Sequence, residues 1–192
     1  MDFFRLPPLG YGGQVVAVTR LRKRFAFVAA DLASLNIRCS YGWMADDNTT
    51  IYDAVPGGAD LVSWFGEVPT FHDAEILSLD LRRNAQSALR LHGWINTGSV
   101  GQGGYYVLDR HAIVTFTLTD VMDLQLDGFS IQNVISGLVL RRAPYRPERR
   151  GYLALDPLPQ DIELELEPCY GLSGLIRARS VSITFKPGKP EP

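Results

Sequence analysis

Cysteine and histidine are scarce in this chain, and their scarcity excludes several classes of protein. The 192 residues include two cysteines and three histidines. Two cysteines build neither a disulfide scaffold nor a four-cysteine zinc site, so Cys39 and Cys169 are expected to be buried free thiols in a reducing compartment. The histidines, His72, His92 and His111, lack the spacing typical of zinc ligands. We therefore expect neither a metal nor another cofactor.

Long apolar runs are also missing. No stretch approaches the roughly 20 apolar residues that cross a bilayer. The N-terminus has no basic segment leading into an apolar one, the pattern typical of a secretory signal. A hydrophobic content of 46% is that of a globular chain. These features predict a cytoplasmic protein that does not contact membranes.

Charge is distributed unevenly along the chain. Residues 1–43 hold six basic groups and two acidic ones, whereas the remainder holds 13 basic and 19 acidic groups. The shift near Met44 predicts an accessory N-terminal extension over 1–43 and a single domain over 44–192. The alternative that the extension is not native, because translation starts at Met44, stays open. An acidic domain favours a basic protein partner over nucleic acid.

Alternating apolar and polar residues predict a mainly β fold. About eight strands are expected, over 75–82, 88–95, 105–108, 112–119, 122–127, the second half of 131–140, 162–167 and 175–185, with a further short strand at 152–155. Short turns between them indicate antiparallel pairing, either as a curved meander or as two packed sheets. One or two short helices are expected, the clearest being 61–65, with Asp60 as its N-cap and Gly66 ending it.

One predicted strand carries a row of carboxylates. Ile162, Leu164 and Leu166 alternate with three glutamates, so one face is expected to present an acidic stripe to solvent. The residues that we expect to bind a partner are this stripe, two nearby aspartates and two tyrosines beside a glycine-rich hairpin tip: Glu163, Glu165, Glu167, Asp123, Asp127, Tyr105 and Tyr106. Trp94 is a further aromatic candidate. The alternative is a solubilising edge strand, and both interpretations stay open.

Three segments together resemble the immunity-protein-50 family of bacterial polymorphic toxin systems. They are Trp64-Phe65-Gly66 with the run from Pro69 to Glu75, the run from Leu126 to Ile135, and the run from Tyr170 to Gly174. The resemblance covers about residues 50–186. It implies a mostly β protein that neutralises a cognate toxin domain without catalysis. It also implies scaffold roles for the motif residues: Trp64, Gly66, Phe71, His72, Asp73, Glu75, Asn133, Tyr170 and Gly171.

Two other functions are compatible with the residues. A metal-dependent enzyme would centre on His72, Asp73 and Glu75, although a structural role for the cluster is favoured, with Asp73 capping backbone amides and His72 bonding a neighbouring strand. A small-molecule-binding module would need an apolar pocket between sheets. No Gly-x-Ser-x-Gly elbow is present to support a hydrolase. We therefore expect a non-enzymatic protein, of an oligomeric state that the sequence does not reveal.

Overall fold

In a computed structural model of the chain, residues 50–191 are described. They form one α-helix and six β-strands: α1 (Gly58–Phe65), β1 (Glu75–Asp80), β2 (Ser87–Val100), β3 (Tyr106–Asp127), β4 (Val134–Arg142), β5 (Ile162–Tyr170) and β6 (Ser173–Pro187). Two 3₁₀ helices, Tyr52–Ala54 and Pro147–Tyr152, precede α1 and β5. The predicted extension over 1–43, including Cys39, lies outside the described residues.

The six strands form one antiparallel sheet that closes into a barrel in the order β1-β2-β3-β6-β5-β4. Each half of the domain contributes a three-stranded meander. The long β3–β6 ladder joins the two meanders, from Ala112 opposite Pro187 to Asp127 opposite Ser173. The barrel closes between β1 and β4 through the single pair Glu75 and Val134. The predicted mainly β class and antiparallel pairing are confirmed.

The barrel has six strands rather than about eight, mainly because three predicted strands are parts of β3. The backbone of β3 enters the left-handed region at Arg110 (φ 50°) and Asp120 (φ 53°). The ladders to β2 and β6 lose their regular register close to these two positions. Such local irregularities bend a strand without ending it, and they interrupt the alternation from which strands are predicted. The strand expected at 152–155 is absent.

Apolar side chains from all six strands fill the barrel. The alternation predicted for β2 and β5 is confirmed, since Leu89, Leu91 and Leu164 are fully buried. In β1 the alternation predicts Leu77, Leu79 and Leu81 as the inward set, which holds for Leu79, packed against the core, but not for Leu81. Ile76 is buried and Leu81 is 46% exposed, because the ladder with β2 slips just after Ile76.

Helix α1 packs against the barrel and ends where the sequence predicts. Gly66 follows it with a φ of 83°, and its amide donates to the carbonyl of Val62 at 2.8 Å. A left-handed residue at this position favours glycine. The helix begins earlier than expected, so Asp60 lies in its first turn and Gly57 occupies the N-cap position.

Two further properties bear on the sequence expectations. Among residues 50–191, no helix is long and apolar enough to cross a membrane. Cys169 is a free thiol, but it is exposed, so the prediction that it is buried is wrong.

Candidate partner-binding site

The three segments of the sequence motif meet where β1 and β4 close the barrel. The amide of Ile76 donates to the carbonyl of Asn133 at 2.8 Å, and the amide of Ile135 donates to the carbonyl of Ala74 at 3.0 Å. The side-chain oxygen Oδ1 of Asn133 accepts from the amide of Leu172 at 3.0 Å. One asparagine thus ties the loop before β4 to the β5–β6 turn.

The β5–β6 turn leaves little room for a side chain. Gly171 has a φ of 83°, and a Cβ atom there would lie 2.7 Å from Oδ1 of Asn133. Tyr170, the last residue of β5, pairs with Val134 but leaves 60% of its surface exposed. The turn therefore requires glycine at 171, whereas the Tyr170 side chain adds little to the core.

A strained turn precedes β1 at this closure. Phe71 has a φ of 58°, unusual for a bulky residue, and its buried ring packs edge-on against Phe65 and Phe116, each with centroids 6.0 Å apart. A Cβ atom at Gly93 would lie 2.8 Å from the Phe71 ring, so this close approach requires glycine on β2. Packing around one aromatic ring therefore holds the turn in place.

The turn exposes His72 and Asp73 together. Nδ1 of His72 lies 3.0 Å from a carboxylate oxygen of Asp73, and both side chains are more than half exposed. The backbone of Asp73 is also left-handed (φ 62°), which brings the two neighbours together instead of pointing them apart. The expected cap by Asp73 and the expected strand contact by His72 are absent among the described residues.

Trp64 lies on the outside of the barrel end and is only partly buried. Its ring packs against Phe185 with centroids 5.8 Å apart, and Nε1 donates to the carbonyl of Arg110 at 3.4 Å. Arg110 reciprocates by donating from its guanidinium to the Trp64 carbonyl at 2.9 Å. Trp64 thus fixes α1 to the first bend of β3.

A surface cleft of about 460 Å³ lies between this turn and the β2–β3 hairpin. It is lined by Glu67, Thr70, His72, Asp73, Trp94, Ile95, Asn96, Tyr105, Tyr106 and Leu108. The cleft unites residues that the sequence singled out for unrelated reasons, namely the His72–Asp73 pair and three aromatic side chains. Two carboxylates contribute to its lining, and none of the described lining residues is lysine or arginine.

Beyond the barrel, β2 and β3 continue as a two-stranded arm, which we define as residues 96–108. Asn96 pairs with Leu108 and Val100 with Tyr106. The glycine-rich segment forms the tip, where the amide of Gly101 donates to the carbonyl of Tyr105 at 2.9 Å, confirming the predicted hairpin. The apolar side chains of the arm are exposed: Val100 by 62%, Tyr105 by 82%, Tyr106 by 64%, Val107 by 42% and Leu108 by 38%.

The acidic stripe expected on β5 is wrong as a solvent-facing row. Glu163 is completely buried and forms ion pairs with Arg141, at 2.8 Å, and with Arg146. Glu165 also pairs with Arg141, at 2.6 Å, and keeps 39% of its side chain exposed. Glu167 alone is fully on the surface, beside Gly137.

The loop from β4 to β5 causes this burial. Arg146, just before its 3₁₀ helix Pro147–Tyr152, and Arg149, within that helix, reach carboxylates on the outer face of the sheet. Arg149 donates from Nε to a carboxylate oxygen of Asp123 at 3.0 Å. Asp123 is 7% exposed, and hydrogen bonds from Arg149 hold the pKa of its carboxyl below the ordinary value. Asp127 remains exposed at the end of β3.

Charges of alternating sign cross four neighbouring strands beneath this loop. Asp123 on β3 lies opposite Arg177 on β6, Arg177 opposite Glu163 on β5, and Glu163 opposite Arg141 on β4. We call this set the ionic row. Cross-strand neighbours of opposite charge stabilise a sheet, and burial makes each charge depend on its ion-pair partner, which for Arg177 is Asp161 at 2.6 Å. The row is a structural layer and cannot present free carboxylates to a partner.

His92 and His111 form a pair on the outer face of β2 and β3. Nε2 of His92 lies 3.1 Å from Nδ1 of His111, and Trp94 packs edge-on against His92 with centroids 4.9 Å apart. Burial lowers the pKa of both histidines, with a further contribution from the charge of Lys189. No spacing signal in the sequence indicates this pair, because only the register of the hairpin brings the two rings together.

The alternative of a metal-dependent enzyme depends on convergence of the His72 cluster with another histidine. His72 and Asp73 line the cleft, but Glu75 does not, and His92 and His111 contact each other. Over the part of the chain that the structure describes, no group of three or more histidine, cysteine, aspartate or glutamate side chains is placed to hold a metal ion.

Residues 50–191 thus form a closed antiparallel barrel with a projecting apolar arm and an adjoining acidic cleft. Comparison with family models, curated proteins and solved structures found no match to it.

Proposed function

We propose that this chain is a non-catalytic binding protein that neutralises a cognate bacterial toxin domain by covering it in a stoichiometric complex. The class of partner is what the sequence resemblance to immunity proteins implies. The binding surface that we assign is the arm together with the adjoining cleft. The basic nature of the partner, first expected from the acidic composition, is retained.

The observation that carries the proposal is the exposure of the arm. Five apolar or aromatic side chains between Val100 and Leu108 are at least 38% exposed, on a hairpin that leaves the barrel. A concentration of exposed apolar side chains on one projecting hairpin is typical of a surface that contacts a partner. Tyrosine is also among the residues that dominate binding energies at protein interfaces. The arm is therefore suited to anchor a partner protein.

The carboxylates that attract a basic partner are assigned to the cleft instead of to β5. Glu163 and Asp123 are committed to arginines within the domain, so they are unsuited to steer a basic partner. Glu67 and Asp73 lie on the surface beside the arm and take over this role. Glu165, Glu167 and Asp127 remain accessible and are secondary candidates. Exposed carboxylates of this kind mainly raise the rate of association and its dependence on salt.

A growth-rescue test addresses the proposal directly. The full chain and residues 44–192 are each co-expressed with the toxin domain encoded by the neighbouring gene, and any complex is isolated and sized. We expect rescue with a one-to-one complex. Failure of both forms to rescue growth or to bind, with each shown to be folded, contradicts the proposal.

A matched pair of variants then assigns the surface. Tyr105→Ala combined with Tyr106→Ala is expected to weaken the complex about 100-fold, because each central aromatic contributes about tenfold or more. Tyr145→Ala is the control, since Tyr145 is 72% exposed but lies outside the arm and cleft. Equal binding by the double variant and the control removes the arm from the interface.

A further inference from the structure

We infer that the cleft holds an arginine or lysine side chain carried by an extended segment of the partner. That this segment belongs to a toxin domain rests on the proposed function, whereas the preference for a cation follows from the residues of the cleft itself. Its volume of about 460 Å³ is within the range of specific ligand sites. Its lining combines carboxylates and aromatic rings, which together favour a cation.

The charges of the cleft are unbalanced. Glu67 and Asp73 line it, and Asp73 contacts Nδ1 of His72 at 3.0 Å. The guanidinium of Arg110 donates to the Trp64 carbonyl and is not part of the lining. Among the described residues no lysine or arginine forms an ion pair with either carboxylate, so an incoming cation would compete only with the His72 contact of Asp73.

Aromatic rings also line the cleft. Trp94, Tyr105 and Tyr106 all line the cleft, and the two tyrosines are the most exposed aromatic residues of the arm. The face of an aromatic ring attracts a guanidinium or ammonium group within about 6 Å of its centre. A lining that combines carboxylates with aromatic rings selects a cationic side chain over a neutral one of similar length.

The backbone next to the cleft favours an extended occupant. β1 begins at Glu75, opposite His92, whereas β2 continues to Val100. Trp94, Ile95 and Asn96 therefore lie on a stretch of β2 with no strand on the β1 side within the described residues, and all three line the cleft. An open strand edge of this kind accepts an added strand, with side-chain pockets setting specificity.

The test uses a synthetic peptide, so that it does not depend on the toxin. Acetyl-Val-Thr-Arg-Val-Thr-amide is titrated into the full chain and followed by calorimetry and by the NMR signal of the Trp94 indole. The matched peptide carries citrulline, which has the shape of arginine without its charge. We expect the arginine peptide to bind at least about tenfold more tightly, to shift the Trp94 signal, and to weaken at high salt.

Variants locate the binding. Glu67→Gln combined with Asp73→Asn is expected to weaken the arginine peptide about tenfold, and asparagine tolerates the left-handed backbone at position 73. Glu148→Gln with Asp156→Asn removes the same charge from residues outside the cleft and should leave binding unchanged. Equal binding of both peptides, equal effects of both double variants, or no binding of either peptide at millimolar concentration overturns the inference.

The two proposals fail separately. If the chain binds the toxin domain but not the arginine peptide, the proposed function stands and the assignment of the cleft is wrong. A chain that binds the peptide through Glu67 and Asp73 but rescues no growth retains the cation site and loses the toxin as its partner.

Discussion

At the scale of single residues, Glu163 illustrates how a side chain's surroundings decide its role. The alternation along β5 correctly predicts that Glu163 faces away from Leu164 and the barrel interior. It contains no information on what covers the outer face. Arg141 from the neighbouring strand and Arg146 from the covering loop both reach the carboxylate, which is left with no exposed surface. A residue predicted to meet a partner is instead part of the domain's own packing.

Replacing Glu163 therefore tests the ionic row. Glu163→Gln leaves Arg141 and Arg146 without their shared buried carboxylate, and we expect the free energy of unfolding to fall by about 3–5 kcal/mol. The measurement is urea denaturation followed by circular dichroism. Glu167→Gln, on the same strand and exposed, is the control and should change stability by no more than about 0.5 kcal/mol. Similar losses for both variants would mean that Glu163 is not an essential partner.

At the scale of elements, β3 shows why boundaries were harder to predict than strands. The sequence predicts each of its three alternating stretches as a separate strand. In the structure the left-handed residues Arg110 and Asp120 shift the alternation of inward and outward side chains between these stretches without ending β3. A pattern that shifts phase at a polar residue resembles a turn between two strands. In β6 the inward-facing set likewise shifts phase near Ser180, since Ala178 and then Val181 are buried.

The arm is the element whose removal separates recognition from folding. Its side chains between Asn96 and Leu108 are mostly exposed, and neither β1 nor β6 pairs with it. We expect replacement of the residues between Asn96 and Leu108 by Asn-Gly, a favoured two-residue hairpin turn, to shift the thermal midpoint by less than about 4 °C. The same variant should lose binding to the toxin domain and to the arginine peptide.

The control for this shortening is a chain of native length. Gly101→Ala alters the hairpin tip at a position without a left-handed backbone, where a Cβ atom would make only ordinary contacts at 3.6 Å or more, and it should retain both stability and binding. A large drop in thermal midpoint for the shortened chain would show that the arm supports the barrel. Retained binding would place the recognition surface elsewhere.

At the scale of the whole molecule, features that depend on neighbouring residues are predictable from the sequence, whereas features that depend on contacts between distant segments are not. Fold class, antiparallel pairing, the end of α1 and the glycine hairpin all follow from local residues. The closure of the barrel at Glu75 and Val134, the cover over β5 and the meeting of the arm with His72 depend on contacts between distant segments. The surroundings of Glu163 were therefore predicted wrongly although its strand was expected over 162–167, and β5 continues beyond those bounds to carry the exposed Cys169.

The ionic row and the histidine pair give the domain a stability that falls with acidification in two steps. Burial lowers the pKa of His92 and His111 in the folded state, with Lys189 adding to the effect and Asp109 opposing it at His111. The unfolded chain then binds protons first, from about pH 6.5 downward. The Asp123 pKa is also lowered, chiefly by Arg149, so its contribution is complete above about pH 4 and is lost as pH falls further.

Both steps have the same sign, so we expect the free energy of unfolding to be highest above pH 7 and to decrease through two separate windows. Urea denaturation at intervals from pH 8 to pH 3 measures this profile. His111→Gln breaks the pair and should reduce the slope of unfolding free energy against pH between pH 7 and pH 5. The reason is that His111 lowers the pKa of His92 and helps to shield the His92 ring from water. His72→Gln keeps the pair and is the matched control. An unchanged slope in His111→Gln would show that the pair is not coupled to folding, while the lower window would still report on Asp123 and Arg149.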